Sequence, residues 1–286
     1  MKFFFPCLSV HGNGARIDTF AVPAVYFLLV EKRSLTMSQT VTVKNVTFGE
    51  GHPKIAIPLT APDLSGLEKA LEALQEGPCD LIEWRADCYA AIREASSWMA
   101  PLALFREAVP QLPLLFTIRT SVEGGNLEIS TEDYVRLLEE AIQSHAIDLV
   151  DVELSRGLKA VEELVPCAHE NGVKVVGSCH DFHKTPAKEE IVDTLCTMQR
   201  LGCDLAKYAV MPQKEEDVLT LLEATLTMKR EHPATPVITM SMGPLGAISR
   251  ICGERFGSAV SFGTAGPASA PGQLPARLLA EIFPLV

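Results

Sequence analysis

Lys207 sits where a strand core should be. It lies in the run Asp204 to Pro212, whose Leu205, Ala206, Tyr208, Ala209 and Val210 read as a buried strand. Burial disfavours an ammonium and lowers its pKa. A neutral amine in a pocket attacks carbonyl carbon and forms an imine. His180 ends a second apolar run that begins at Lys174, and His183 follows on the adjoining loop. A neutral imidazole beside an imine can take the proton from the neighbouring carbon. Further charges fall at strand spacing: Glu83, Arg85 and Asp87 in one run, Asp151 and Glu153 in another, Arg119 at the end of a third. Residues two apart on a strand share a face, so Glu83, Arg85 and Asp87 are expected on one side, with Ile82, Trp84 and Ala86 on the other. Leu149, Val150, Val152 and Leu154 fill in around Asp151 and Glu153. Buried ion pairs are costly unless fully hydrogen-bonded, so such a cluster marks a cleft. Glu83, Asp151, Glu153 and His180 are metal-ligand types, but Arg85, Arg119 and Lys207 would repel a cation, and no metal is expected.

The elements that position these groups alternate regularly from residue 54. Apolar, β-rich runs occur at 54–60, 81–87, 114–120, 149–154, 174–180, 205–211, 237–242 and 259–265. Amphipathic stretches separate most of them, for example 64–76 behind Asp63, 131–144, 188–201 and 215–230. Eight such units predict an α/β protein, a (β/α)8 TIM barrel whose charged strand ends gather at the C-terminal mouth. An open doubly wound sheet alternates in the same way, but no G-x-G-x-x-G follows the first strand. Residues 40–48 alternate like a β-hairpin ahead of the barrel. After the last strand, the tail from Ser261 to Gln273 is rich in glycine and proline and carries no Lys or Arg. Arg250 with the hydroxyl of Ser269 and the amide of Gln273 suits a carboxylate. The glycines and prolines flanking these donors suggest a loop that closes as a lid.

Composition narrows the function classes. The 286 residues carry a net charge of −11, which disfavours nucleic acid and anionic membrane as partners. Eight cysteines are scattered without a C-x-x-C pair, as expected of reduced thiols in the cytoplasm. Residues 1–36 hold an apolar run too short to span a bilayer and fit a signal peptide poorly. They read as an extension outside the fold, with 37–286 as one catalytic barrel domain.

The chain resembles the type I 3-dehydroquinate dehydratases, the Schiff-base enzymes of the shikimate pathway, from about Met37 to its end. The resemblance is carried by Glu83 to Asp87, Phe116 to Gly125, Asp151 to Leu154, Cys179 to Pro186, Lys207 to Gln213, Ile238 to Gly243, Ile248 to Arg250 and Ser269 to Gln273, in that order. It implies a hydro-lyase that removes water from 3-dehydroquinate by syn elimination. By resemblance, Lys207 forms the imine, His180 moves the proton and Glu123 orients His180. Arg250, Ser269 and Gln273 hold the substrate carboxylate, while Glu83, Arg85 and Arg119 bind ring hydroxyls. The resemblance further implies no cofactor and a homodimer in the cytoplasm. The segment Gly243-Pro244-Leu245-Gly246 departs from the polar or basic residues usual there. Two other readings remain at this point: a class I Schiff-base aldolase on the same barrel, whose phosphate substrates the uncharged tail disfavours, and a non-catalytic ligand-binding barrel.

Overall fold

The repeating strand–helix pattern folds into a closed (β/α)8 barrel. The computed structural model describes residues 40–286, apart from 75, 76, 95 and 267. The expectation for residues 1–36 falls outside the described residues. A hairpin of β1 (Val41–Val43) and β2 (Val46–Phe48) comes first. The barrel strands are β3 (Lys54–Leu59), β4 (Leu81–Arg85), β5 (Leu114–Thr117), β6 (Leu149–Glu153), β7 (Lys174–Asp181), β8 (Leu205–Val210), β9 (Val237–Ser241) and β10 (Val260–Thr264). All pair in parallel, in the order β10-β3-β4-β5-β6-β7-β8-β9. A bridge between Val237 and Ser258, with the Ala259 N–H donating to Val237 O at 2.8 Å, closes the seam from β9 to β10. A short β11 (Leu274–Pro275) adds to β10.

A helix follows each barrel strand: α1 (Leu64–Leu74), α2 (Met99–Ala108), α3 (Thr131–Gln143), α4 (Leu158–Glu170), α5 (Lys188–Arg200), α6 (Glu215–Glu231), α7 (Ala247–Phe256) and α8 (Ala276–Ile282). Their starts and faces follow from sequence. Ser130 caps α3 by accepting from the Asp133 N–H, and Tyr134, Leu137, Leu138, Ala141 and Ile142 form its buried stripe. Glu215, Glu216 and Asp217 open α6 and Lys229 and Arg230 close it, matching the helix dipole. No helix among the described residues is long and apolar enough to cross a membrane.

The strands bury two different faces. The outer face packs on the helices: Trp84 of β4 meets Phe105 of α2 and Phe116 of β5, with ring centroids 5.5 and 5.4 Å apart. The inner face is layered. Its N-terminal floor is apolar, built from Ala56, Leu81, Leu115, Leu149, Val176, Leu205, Ile238 and Val260. Leu149 therefore shares the inner face with Asp151 and Glu153 rather than flanking it. Val43, Val46 and Phe48 of the hairpin join this floor and plug the barrel from below. Lys44 fastens the plug, donating to Pro110 O and Leu112 O at 2.8 and 2.7 Å and pairing with Asp148 at 3.2 Å.

The upper layer is polar, and three strands end sooner than their apolar runs suggest. β4, β5 and β6 stop at Arg85, Thr117 and Glu153. Single 3₁₀ turns follow at Ala86–Cys88, Ser121–Glu123 and Leu154–Arg156. The cause is loss of ladder partners: the pairing of β5 with β6 ends at Phe116 with Val150. Beyond it, backbone groups bond to carboxylates instead, Arg119 N–H to Asp87 and Thr120 N–H to Glu153.

The plug predicts a stability effect remote from the mouth. Phe48 is fully buried, so Phe48→Ala should cost about 3–5 kcal/mol in denaturant unfolding. A cost below about 1 kcal/mol would show that the hairpin does not seal the floor.

Candidate active site

Lys207 stands in the middle of β8, and its inward position follows from the pleat: Leu205 lies below it in the floor and Ala209 above it. The residue is 4% exposed. Its Nζ lies 3.6 Å from Glu83 Oε1, 3.8 Å from Asp151 Oδ2 and 4.4 Å from the Phe262 ring centroid. Burial lowers its pKa below the ordinary lysine value, helped by Arg119 and Arg85; Glu83 and Asp151 oppose the shift without cancelling it.

Arg119 organises the carboxylates. Its Nη2 pairs with Asp151 Oδ2 at 2.8 Å, and its Nη1 reaches Glu153 Oε1 at 2.8 Å, Ser178 Oγ at 3.0 Å and Glu123 Oε2 at 3.3 Å. Ser178 in turn donates to Asp151 Oδ1 at 2.6 Å. Thr120 donates to Glu153 from both its N–H and its hydroxyl, at 2.8 and 2.6 Å. Glu83 accepts from Thr117 Oγ1 at 3.1 Å. Arg85 forms a two-pronged bond to Asp87, with both contacts at 2.8 Å. Glu83, Arg85 and Arg119 thus keep different partners: Arg119 serves β6 and Glu123, Arg85 serves Asp87, and Glu83 faces Lys207. The turns that end β4 and β5 cause this division, because they bring Asp87 and Glu123 back under the two arginines.

His180 Nδ1 lies 2.7 Å from Glu123 Oε2. Burial, reinforced by Arg119, Lys207 and Arg85, holds the imidazole well below its usual pKa. Burial also pushes Glu123 up to about 7 against the pull of Arg119. The Nδ1 contact leaves Nε2 as the ring nitrogen available to the cavity. Phe182 stacks on the ring at 6.5 Å, 20° from parallel. It also fills the space over Gly124, where an added Cβ would lie 2.5 Å from the Phe182 ring. His183 is exposed on the loop, its N–H bonded to Asp181 and its carbonyl to Gln213.

Arg250 near the start of α7 is buried, at 3% exposure, yet has no carboxylate partner among the described residues. Its Nη2 donates to Pro271 O at 3.2 Å, and Nε finds no acceptor. Burial alone lowers its pKa to about 10, so it remains a cation at neutral pH. The tail arches beside it. Gly243 N–H donates to Pro271 O at 3.1 Å, and Gln273 Oε1 accepts from the Ser269 N–H at 2.8 Å. Gly272, at φ +76°, permits this approach: a Cβ there would lie 2.2 Å from Gly243 O.

One cavity of about 220 Å³ joins these parts, with Glu83, Arg85, Arg119, His180, Lys207, Arg250, Ser269 and Gln273 in its wall. Glu123 stands one contact back, behind His180. Phe182 and Phe262 also line it and carried no site assignment from sequence. Phe262 was open to detection, since it shares the inward period of β10 with Val260. Asp151 was visible as an inward charge, but its link to Arg119 was not. The described residues contain no group of His, Cys, Asp and Glu fit to hold a metal ion. A nucleophilic amine, a neutral imidazole and a buried, anion-seeking guanidinium around one small space can form an imine on a keto acid and move a proton beside it.

Comparisons with known proteins identify what the whole chain is similar to. The family model described as type I 3-dehydroquinase matches residues 55–286. The 3-dehydroquinate dehydratase of Klebsiella pneumoniae is 49% identical over 250 residues, covering 87% of this chain and all of that protein. The crystal structure of a type I 3-dehydroquinate dehydratase from Clostridium difficile with covalently modified comenic acid superposes with a TM-score of 0.84 at 46% identity, over 87% of this chain and 98% of that one. The enzyme structure from Enterococcus faecalis gives 0.80 at 42% identity, over 86% and 98%.

Arg119 is the partner on which the buried carboxylates depend. Arg119→Met should destabilise the protein by about 3–5 kcal/mol in urea unfolding, because Asp151 and Glu153 lose their counter-charge. An unchanged unfolding midpoint would mean that water already satisfies them.

Proposed function

The chain belongs to the type I 3-dehydroquinase family, and from that premise we propose which of its residues carry the reaction. The enzyme is a hydro-lyase that dehydrates 3-dehydroquinate to 3-dehydroshikimate through a lysine imine. Lys207 is the nucleophile. Its neutral Nζ attacks the ketone carbon, and loss of water leaves a protonated imine that draws electrons from the adjacent C–H bond. His180 Nε2 takes that proton, and the C–H electrons flow toward the imine nitrogen. They return to expel the hydroxyl, which His180 protonates on the same side as water leaves. Hydrolysis of the imine frees the product and restores Lys207. Glu123 holds the imidazole through Nδ1 and fixes which nitrogen faces the substrate.

The observation that carries this reading is the single cavity walled by Lys207, His180 and an uncompensated Arg250. Arg250 with Ser269 and Gln273 binds the substrate carboxylate, the anion this buried cation otherwise lacks. Glu83 and Arg85 meet the ring hydroxyls. Arg119 completes that wall, though its fork is largely engaged with protein carboxylates. The tail acts as a lid whose closure brings Gln273 onto the ligand. We place the catalytic unit at 37–286 and residues 1–36 outside it; the start of the family match at residue 55 supports this. A homodimer in the cytoplasm completes the proposal, supported by the likeness to the family and by thiols that are free among the described residues. Light scattering tests the dimer.

Borohydride reduction in the presence of 3-dehydroquinate should place one adduct on the peptide bearing Lys207, and Lys207→Ala should abolish it. The neutral amine is the reactive form and its pKa is lowered, so trapping should rise with pH through a midpoint below 10.5. An adduct on another peptide, or a midpoint at the free-lysine value, would remove Lys207 from the role. His180→Ala should still form the imine while turnover falls by about 10²–10⁴, and His183→Ala should remain near normal.

Arg250→Lys tests the carboxylate site. A single ammonium cannot reproduce the two-pronged contact, so KM should rise roughly 10- to 100-fold in a folded enzyme. An unaltered KM would place the carboxylate elsewhere.

A further inference from the structure

Asp87 has a role that neither the nucleophile nor the proton shuttle explains. Its side chain is wholly enclosed in the turn after β4. Oδ1 accepts from Arg85 Nε at 2.8 Å and from the Arg119 N–H at 3.1 Å. Oδ2 accepts from Arg85 Nη2 at 2.8 Å and from the Asn126 N–H at 3.3 Å. One carboxylate therefore grips a cavity-lining guanidinium and both ends of a neighbouring loop. That loop, 119–126, carries Glu123 at its turn. It is closed at its base by the Thr120–Leu127 bridge and by the Gly125 N–H donating to Thr120 O at 2.8 Å. It is also compressed: a Cβ on Gly125 would lie 1.9 Å from Arg119 O. A loop packed this closely moves as a unit, so displacing its ends displaces Glu123 from His180. On the Arg85 side, Asp87 occupies the Nε–Nη2 edge of a side chain that lines the cavity, leaving Nη1 as the nitrogen outside this clasp.

We propose that Asp87 is a positioning residue that aligns the two halves of the site at once, aiming Arg85 at the substrate ring and seating the Glu123 loop against His180. This rests on the roles given above to Arg85 and Glu123. Asp87 touches neither substrate nor reacting atoms; it acts through the geometry of two groups that do. Asn at this position keeps the shape but sets an NH2 group against donors, so the clasp fails on one side.

The test separates KM from kcat. Asp87→Asn should raise KM through Arg85 and lower kcat through the Glu123 loop, each by roughly 10- to 100-fold, since a displacement of about 1 Å costs that much. Borohydride trapping on Lys207 at saturating substrate should persist, which shows that the nucleophile and the fold survive. Arg85→Ala should reproduce the KM change alone, and adding Asp87→Asn to it should lower kcat further. Asp87→Glu covers the case in which the Asn variant does not fold. It keeps the charge but lengthens the arm, so relative to wild type KM should rise and kcat fall, each by up to roughly 10-fold. Folded Asp87→Asn or Asp87→Glu with wild-type KM and kcat overturns the inference while leaving the site assignment intact. A normal KM in Arg85→Ala overturns the assignment of Arg85 and the inference with it.

Discussion

A buried lysine flanked by carboxylates has its pKa lowered only if another cation engages those carboxylates, and Arg119 does so for Asp151. Asp151 lies within 4 Å of both cations, but its contact to Arg119 Nη2 is 2.8 Å against 3.8 Å to Lys207. The guanidinium holds its proton under all ordinary conditions, and its surroundings raise its pKa further. The lysine ammonium is the weaker competitor for the same negative charge, so desolvation decides its state. The same guanidinium disfavours protonation of His180, again in concert with burial. After burial, this one cation thus helps lower the pKa of both the Lys207 amine and the His180 imidazole. It also restrains the carboxylates that would otherwise hold those bases charged.

The second arginine at the mouth shows what burial does without such partners. Arg119 and Arg250 are about equally enclosed, at 4% and 3% exposure. Arg119 has its pKa raised by surrounding carboxylates, whereas Arg250 has its pKa lowered by burial with nothing to offset it. The unpaired guanidinium is unfavourable for folding, and a bound carboxylate relieves that cost. On the proposed carboxylate assignment, affinity for the substrate acid and the cost of burying Arg250 alone share one origin. The tail belongs to the same arrangement: Pro271 O accepts from both Arg250 and the Gly243 N–H. The loop that covers the cavity is therefore bonded to the residue that needs the anion.

How far these features could be read from sequence depended on how local their causes are. The barrel was legible because each strand and each helix stripe shows its own period over a few residues, as Glu83 and Arg85 do against Ile82 and Trp84. The positions of Lys207 and His180 followed for the same reason. The partnerships of Arg119 were not legible, since its contacts lie 34 and 59 residues away in sequence and depend on strand register. The early strand ends were hidden too. Ala86 and Ile118 continue the apolar alternation, but their strands have already run past their ladder partners. The hairpin was visible as alternation in residues 40–48, while its use as a floor plug depended on which end of the barrel Phe48 meets.

The mouth of the barrel is where these two kinds of constraint meet. Below it, ladder hydrogen bonds satisfy the backbone and apolar side chains fill the interior. Above the last ladder pair, N–H groups need acceptors and the inward side chains lose their apolar neighbours. Carboxylates meet both needs, as Glu153 does for Thr120 and Asp87 does for Arg119. Each carboxylate buried this way needs a cation, and each cation lies within reach of the cavity. The charge cluster is thus a consequence of ending parallel strands in a closed barrel as well as a device for chemistry. That double role accounts for the density of charge around Lys207: Asp87 and Glu153, which take the backbone N–H groups beyond β5, pair with Arg85 and Arg119, the two arginines that help lower the Lys207 pKa.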